Sequence, residues 1–220
     1  PGIRAPLWSR CLGDVYKRQQ IALSGGSSPS QSYQRLGQQH LPWNRVDVFL
    51  GDERWVSADD ESSNARMLRS TLLQAGEPGE AACFHPVPTV ELPSPEASAD
   101  AFAQLIANSC SGEPPIFDMM VLGLGDDGHT ASLFPGTDAP EVRDRWTTIG
   151  RGKGLDRISL TAPVLSASRK VMFLVNGANK REALRRLLDP AESSQRTPAR
   201  LVQPEAEIIV LADEAASKGI

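Results

Sequence analysis

Phe117 to Gly136 reads FDMMVLGLGDDGHTASLFPG. An apolar run, Phe117 to Leu122, stops at Gly123, and glycines follow at Gly125 and Gly128. Asp126, Asp127 and His129 sit between and after them. Apolar-rich spacing resumes over Thr130 to Phe134 and ends at Pro135-Gly136. The pattern predicts a buried strand, a tight polar loop and a short helix closed by a Pro-Gly turn. In open α/β sheets, loops leaving strand ends carry the sites.

Outward from that stretch, similar units recur. Ile21 to Leu23 is a short strand candidate running into Gly25-Gly26-Ser27-Ser28-Pro29. There Ser28 is a candidate helix cap, with Pro29 in the first turn. Successive amides at such a helix start make an anion site. An ordinary strand-to-helix turn reads the same residues equally well. No Gly-Lys-Ser/Thr follows, so this is not a Walker A loop. Val46 to Leu50, VDVFL, is a second strand that runs straight into Gly51-Asp52-Glu53-Arg54-Trp55. Arg54 has the fork of donors that suits a phosphate or carboxylate. A solvated loop in which Asp52 or Glu53 pairs Arg54 is the alternative.

Asn64 to Leu73 places Ala65, Leu68 and Leu72 on one helical face. Gly76 to Leu92 is a connection, in which His85 has no nearby acid in sequence; it and His40 read as loop or surface residues. Ser94-Pro95-Glu96 starts a helix whose apolar face is Ala97, Ala101 and Leu105, with Phe102 and Ile106. Gly136 to Gly154 reads as a loose loop in which Arg151 and Lys153 are solvated or reach an anion. Arg157 to Thr161 and Lys170 to Val175 are strands, with a turn region at Ala162 to Ser168 between them. Asn176 to Lys180 opens a helix with Ala183, Leu184, Leu187 and Leu188 on its apolar face. A cation such as Lys180 at a helix start is disfavoured by the dipole, and a bound anion would explain it. Ile208 to Ala212 is the last strand. Strands alternating with helices predict one α/β domain over residues 19–220, a three-layer αβα sandwich on a mostly parallel sheet. Pro1 to Arg18 shows breakers and no period, and is expected to be an atypical or disordered leader.

Composition excludes several classes. At 220 residues the chain can bury a real core, and its formal charge of −4 does not suit a nucleic-acid binder. The arginines of Arg181 to Arg186 share their stretch with Glu182 and read as a solvated face. No apolar run approaches the roughly 20 residues of a membrane span. Cys11, Cys83 and Cys110 lack metal-ligand or CxxC spacing, and their odd number argues for a reducing compartment.

Gly123 to Gly128 literally matches GxGxxG. Two aspartates inside the loop would repel a pyrophosphate, and the match lies mid-chain, so a dinucleotide site is disfavoured. Asp127-Gly128-His129 reads better as chemistry: a histidine can take a proton from water, and a carboxylate can fix its tautomer. No Ser or Cys stands on a nucleophile elbow, which favours direct activation of water. A structural His129 that caps its own loop is the alternative.

These residues carry a resemblance. LSGGSSP at Leu23 to Pro29, GDERWV at Gly51 to Val56 and Ser63-Asn64 appear in order. GLGDDGHTASLFPG at Gly123 to Gly136 follows, then RISLT at Arg157 to Thr161, VNGANK at Val175 to Lys180 and LVQPEAEIIV at Leu201 to Val210. Together they resemble the glucosamine-6-phosphate isomerase/6-phosphogluconolactonase family over roughly Gln20 to Ser217, and within it the lactonases. The resemblance implies the fold of glucosamine-6-phosphate deaminases and ribose-5-phosphate isomerases. It implies hydrolysis of a phosphosugar lactone in the cytoplasm, with His129 as base and Asp127 as its partner. Arg54, Lys180 and the loop of Gly25, Gly26, Ser27 and Ser28 would bind the substrate. No metal or organic cofactor, nucleic acid or membrane is implied; the expected assembly is a monomer or weak homodimer. Family members carry a helix before the LSGG strand that Pro1 to Arg18 does not supply, and its loss would uncover apolar sheet surface. Two rivals remain. An amino-sugar phosphate deaminase or isomerase would carry a glutamate after the histidine loop, where this chain has Ser132 to Pro135 and no glutamate before Glu141. A sugar-phosphate sensor would bind without needing a base.

Overall fold

The computed structural model describes residues 18–220. The expected leader, Pro1 to Arg18, lies outside the described residues except for Arg18. Nine strands and six α-helices follow among the described residues. Strands β1 (Gln19–Leu23), β2 (Val46–Leu50), β4 (Cys83–Phe84), β5 (Met119–Gly123), β8 (Val171–Val175) and β9 (Ile208–Ala212) form one sheet. Its order is β4-β2-β1-β5-β8-β9, and every pairing is parallel. Helices flank it: α1 (Ser27–Gly37), α2 (Asn64–Arg69), α3 (Pro95–Ser109), α4 (Ala162–Ala167), α5 (Arg181–Leu188) and α6 (Glu214–Ser217). The architecture is the expected α/β sandwich.

The apolar runs explain the sheet. Phe49, Phe117, Met120, Leu122 and Phe173 are fully buried, as strands covered on both faces require. Phe117 meets Phe49 edge-on at 5.4 Å between ring centroids. On α3 the buried residues are Ser98, Ala99, Phe102 and Ile106; Phe102 and Ile106 were expected there, while Ala97, Ala101 and Leu105 of the expected face are only half-buried. Ser98 is tolerated inside because its hydroxyl donates to the Thr89 carbonyl and accepts from the Trp55 indole.

A second sheet was not expected. Strands β3 (Asp52–Arg54), β6 (Thr147–Gly152) and β7 (Leu155–Leu160) pair antiparallel in the order β3-β7-β6. The supposedly loose glycine stretch is therefore a strand. A Cβ on Gly150 would stand 2.2 Å from the Ser132 carbonyl oxygen, and one on Gly152 would stand 2.6 Å from the Phe134 ring. These glycines let the segment after the histidine loop lie directly on β6. That segment is not the expected helix: Thr130 and Leu133 form an isolated antiparallel bridge, with Ala131 at φ +47°. Ala162–Ala167, read as a turn, is α4.

The amino ends of the parallel strands are stitched by carboxylates. Asp47 accepts from both Arg18 donors at 2.8 Å and from His85 Nε2 at 3.0 Å. His85 also stacks on Phe49 at 4.5 Å. The expectation that His85 has no acid partner is corrected; the pairing spans 38 positions and is invisible locally. Burial pushes the Asp47 carboxyl up, but Arg18, His85 and Gln20 outweigh it and hold it below the usual range. Such a carboxylate stabilises the fold above roughly pH 4, and the contribution is lost as pH falls through the lowered value. Asp47→Asn is expected to cost about 1–3 kcal/mol at pH 7. Urea unfolding at pH 7 and pH 3 checks this: the gap between wild type and variant should shrink at the lower pH.

Candidate functional site

The strand order places β5 on one side of β1 and β2 on the other. Connections therefore diverge between β1 and β5, and their carboxyl ends leave a crevice there. A cavity of about 430 Å³ lies at this point. Gly25, Gly26 and Ser28 line it from the β1 exit, Arg54 from β3, His129 from the β5 exit and Lys180 from the β8 exit. Four separately predicted segments thus converge. Ser27 opens α1 beside them.

Each wall has a local cause. Gly26 is the N-cap of α1 at φ +95°, a backbone state that glycine adopts readily. It offers no side-chain cap, contrary to the capping role expected of Ser28. The first amides of α1 are therefore left for an anion. A Cβ on Gly25 would stand 1.8 Å from Asn64 Oδ1, so glycine here makes room for the Asn64 side chain. Asn64 Nδ2 donates to the Asp52 carbonyl at 2.8 Å, and Asn64 lines the cavity.

The charges after β2 divide by strand alternation. Neither acid pairs Arg54, contrary to the alternative considered from sequence. Glu53 is buried beneath α2, where it accepts the amides of Arg54, Asn64 and Ala65 at 2.7–2.8 Å and the Ser63 hydroxyl at 3.2 Å. Burial pushes its carboxyl up against the pull of those donors. Asp52, on the other face, accepts the Ser132 hydroxyl at 2.5 Å. Arg54 Nη1 donates to the Ser62 carbonyl.

In the β5 loop, Asp127 Oδ1 accepts His129 Nδ1 at 2.5 Å and the His129 amide at 3.0 Å. A carboxylate only accepts, so the ring proton sits on Nδ1 and Nε2 is the basic nitrogen. Burial raises the Asp127 carboxyl, but the His129 ring and amide, aided by Lys153, hold it well below the ordinary carboxylate range. Gly125 is needed for contact: its Cβ would stand 2.0 Å from His129 Nδ1. The other ring face meets Phe134 at 4.4 Å. The amides of Gly125 and Gly128 donate within the loop, to His129 O and Gly125 O, and so are already engaged.

Sequence reasoning did not place Asp52, Asn64, Asn176, Asn179 or Arg157 in the cavity. Lys153, left open as solvated or anion-directed, lines it too, 3.6 Å from Asp126. Arg186 is not simply a solvated arginine: its side chain is 11% exposed, and it donates to the Asp126 carbonyl. Among the described residues, one group of three can close on a metal ion, Asp47, Cys83 and His85. It lies near the amino end of β2 and none of its members lines the cavity.

Known proteins resemble this chain in sequence and fold. A family model described as glucosamine-6-phosphate isomerases/6-phosphogluconolactonase matches residues 10–211. A 6-phosphogluconolactonase of Synechocystis sp. is 44% identical over 203 residues, which cover 91% of this chain and 84% of the relative. The crystal structure of a 6-phosphogluconolactonase from Shewanella baltica superposes with a TM-score of 0.78 at 30% identity, covering 89% of this chain and 83% of that one. A monomeric glucosamine-6-phosphate deaminase shares the fold alone, with a TM-score of 0.74 at 20% identity over 90% of this chain and 87% of its own. The chain belongs to the glucosamine-6-phosphate isomerase/6-phosphogluconolactonase family.

Proposed function

We propose that the protein hydrolyses 6-phospho-D-glucono-1,5-lactone to 6-phospho-D-gluconate, the lactonase step of the oxidative pentose phosphate pathway. The observation that carries this reading is the Asp127–His129 pair, whose histidine stands on the wall of a cation-lined cavity. The identity to named lactonases supports it over the deaminase reading, as does the lack of a glutamate between Asp127 and Glu141.

The lactone carbonyl is already electrophilic, so hydrolysis needs an oriented base and charge stabilisation. His129 Nε2 takes a proton from water as the oxygen attacks C1. Asp127 holds the ring by Nδ1 and, being ionised, favours the imidazolium that forms. The protonated ring then delivers its proton to the departing ring oxygen. Lys153 and Lys180 on the cavity wall are the cations suited to the tetrahedral oxyanion, since the Gly125 and Gly128 amides are engaged. Arg54 and the uncapped start of α1 suit the phosphate. Every group in this scheme comes from one chain, which is compatible with a monomer or a weak homodimer. The reading includes a cytoplasmic location; no helix among the described residues is long and apolar enough to cross a membrane.

His129→Ala is expected to lower kcat by on the order of 10²–10⁴ on fresh lactone at neutral pH without added metal, after subtraction of spontaneous hydrolysis. Equal corrected rates would remove His129 from its role. Tight phosphosugar binding by folded wild type with no turnover would restore the sensor reading.

Arg54→Ala is expected to raise KM with kcat little changed, the mark of an interaction made equally in ground and transition states. Steady-state kinetics separate this from a pure kcat loss, which would move Arg54 toward the reacting carbonyl.

A further inference from the structure

In the antiparallel pairing of β3 with β7, Arg54 lies directly opposite Arg157. Residues so placed stand on the same sheet face, and like charges there are destabilising. Burial and the nearby Arg54 charge both push the Arg157 guanidinium below its ordinary range, against Asp52 and Glu53. Neighbouring acids do not satisfy the pair. Arg157 Nη1 is 3.8 Å from Asp52 Oδ2, an oxygen that already accepts the Ser132 hydroxyl at 2.5 Å. Both Glu53 oxygens are taken on the far side by Ser63 and the amides around α2. The Nε of each arginine is buried and meets no hydrogen-bond partner among the described residues. The Arg157 side chain is 9% exposed, yet the residue lines the cavity together with Arg54.

The lysines of the same cavity share one half-exposed carboxylate. Lys153 Nζ is 3.6 Å from Asp126, and Lys180 also acts on that carboxylate. Among the cavity-lining residues, the buried donors left without a partner are those of Arg54 and Arg157, on the β3–β7 wall. Two guanidinium forks side by side match the charge and the oxygens of a phosphate monoester dianion.

We infer that Arg54 and Arg157 form a cross-strand clamp that seats the phosphate of the substrate against the β3–β7 wall. The assignment rests on the phosphosugar reading above and adds a residue and a place for the anion. It accounts for two like charges opposed in a buried sheet: the bound dianion turns their repulsion into shared attraction.

Arg157→Gln removes the charge, and Arg157→Lys keeps the charge without the fork. Isothermal titration with inorganic phosphate at fixed ionic strength reads the clamp without turnover. Phosphate binding is expected to weaken on the order of 10- to 100-fold in Arg157→Gln and less in Arg157→Lys. The KM for the phosphorylated lactone should rise by a similar factor with kcat within a few-fold. The kcat/KM for unphosphorylated glucono-1,5-lactone should stay at the wild-type value. If Arg157→Gln fails to fold by circular dichroism, Arg157→Lys carries the same comparison. Unchanged phosphate affinity overturns the clamp, and so does an equal loss on both lactones, which would put Arg157 at the reacting carbonyl. Arg157-dependent phosphate binding in a wild type that hydrolyses neither lactone would defeat the lactonase reading and leave the clamp standing.

Discussion

Asp52 accepting the Ser132 hydroxyl at 2.5 Å joins the two halves of the site. One partner leaves the edge of β2 on a three-residue strand; the other follows the histidine loop 80 positions later. The Ser132 amide also donates to the Ser159 hydroxyl oxygen, at 3.1 Å. The segment after His129 is thereby pinned to the small antiparallel sheet rather than coiling into a helix. Phe134 then lies between the His129 ring and the Arg157 guanidinium, at 4.4 Å and 5.3 Å. The base and the arginine wall are held relative to each other by packing and by one buried carboxylate.

The parallel sheet separates stability from chemistry along its length. At the amino ends, Asp47 and Asp118 are engaged by Arg18, His85, Arg169 and the Gln20 amide and side chain. For Asp47 these partners outweigh burial and hold the carboxyl below its usual range. At the carboxyl ends the surplus runs the other way, with arginines and lysines gathered around a cavity and donors left over. Unsatisfied buried donors are costly in a fold that gains nothing from them. Two of them, the Nε atoms of Arg54 and Arg157, belong to one wall of one cavity, as a site shaped for an anion requires.

Space is the second constraint. Gly25 admits Asn64, Gly125 admits the His129 ring, and Gly150 and Gly152 admit Ser132 and Phe134. In each case the added carbon would meet another group within 2.6 Å. These glycines are required by what lies against them, so a stretch that looks loose by composition is among the tightest contacts in the molecule.

Local signals carried much of the protein. The β1, β2, β5, β8 and β9 strands were legible as apolar runs, and the glycine and histidine exits were legible as breaks in them, because strand ends and turns depend on neighbouring residues. The Asp127–His129 bond was legible for the same reason, with partners two positions apart. The family resemblance rested on those same exits. What sequence did not reveal is what distant segments settle together. Asp-Glu-Arg reads as a polar loop until β7, about 100 positions on, pairs with it, and that pairing alone sets Arg54 beside Arg157. His85 looked unpartnered until the parallel register brought Asp47 to it. The sequence by itself determined an alternating α/β chain with its chemistry at the strand exits. Only the tertiary structure decided which charges are paired and which are left for an anion, since burial and opposition across strands are properties of the assembled sheet.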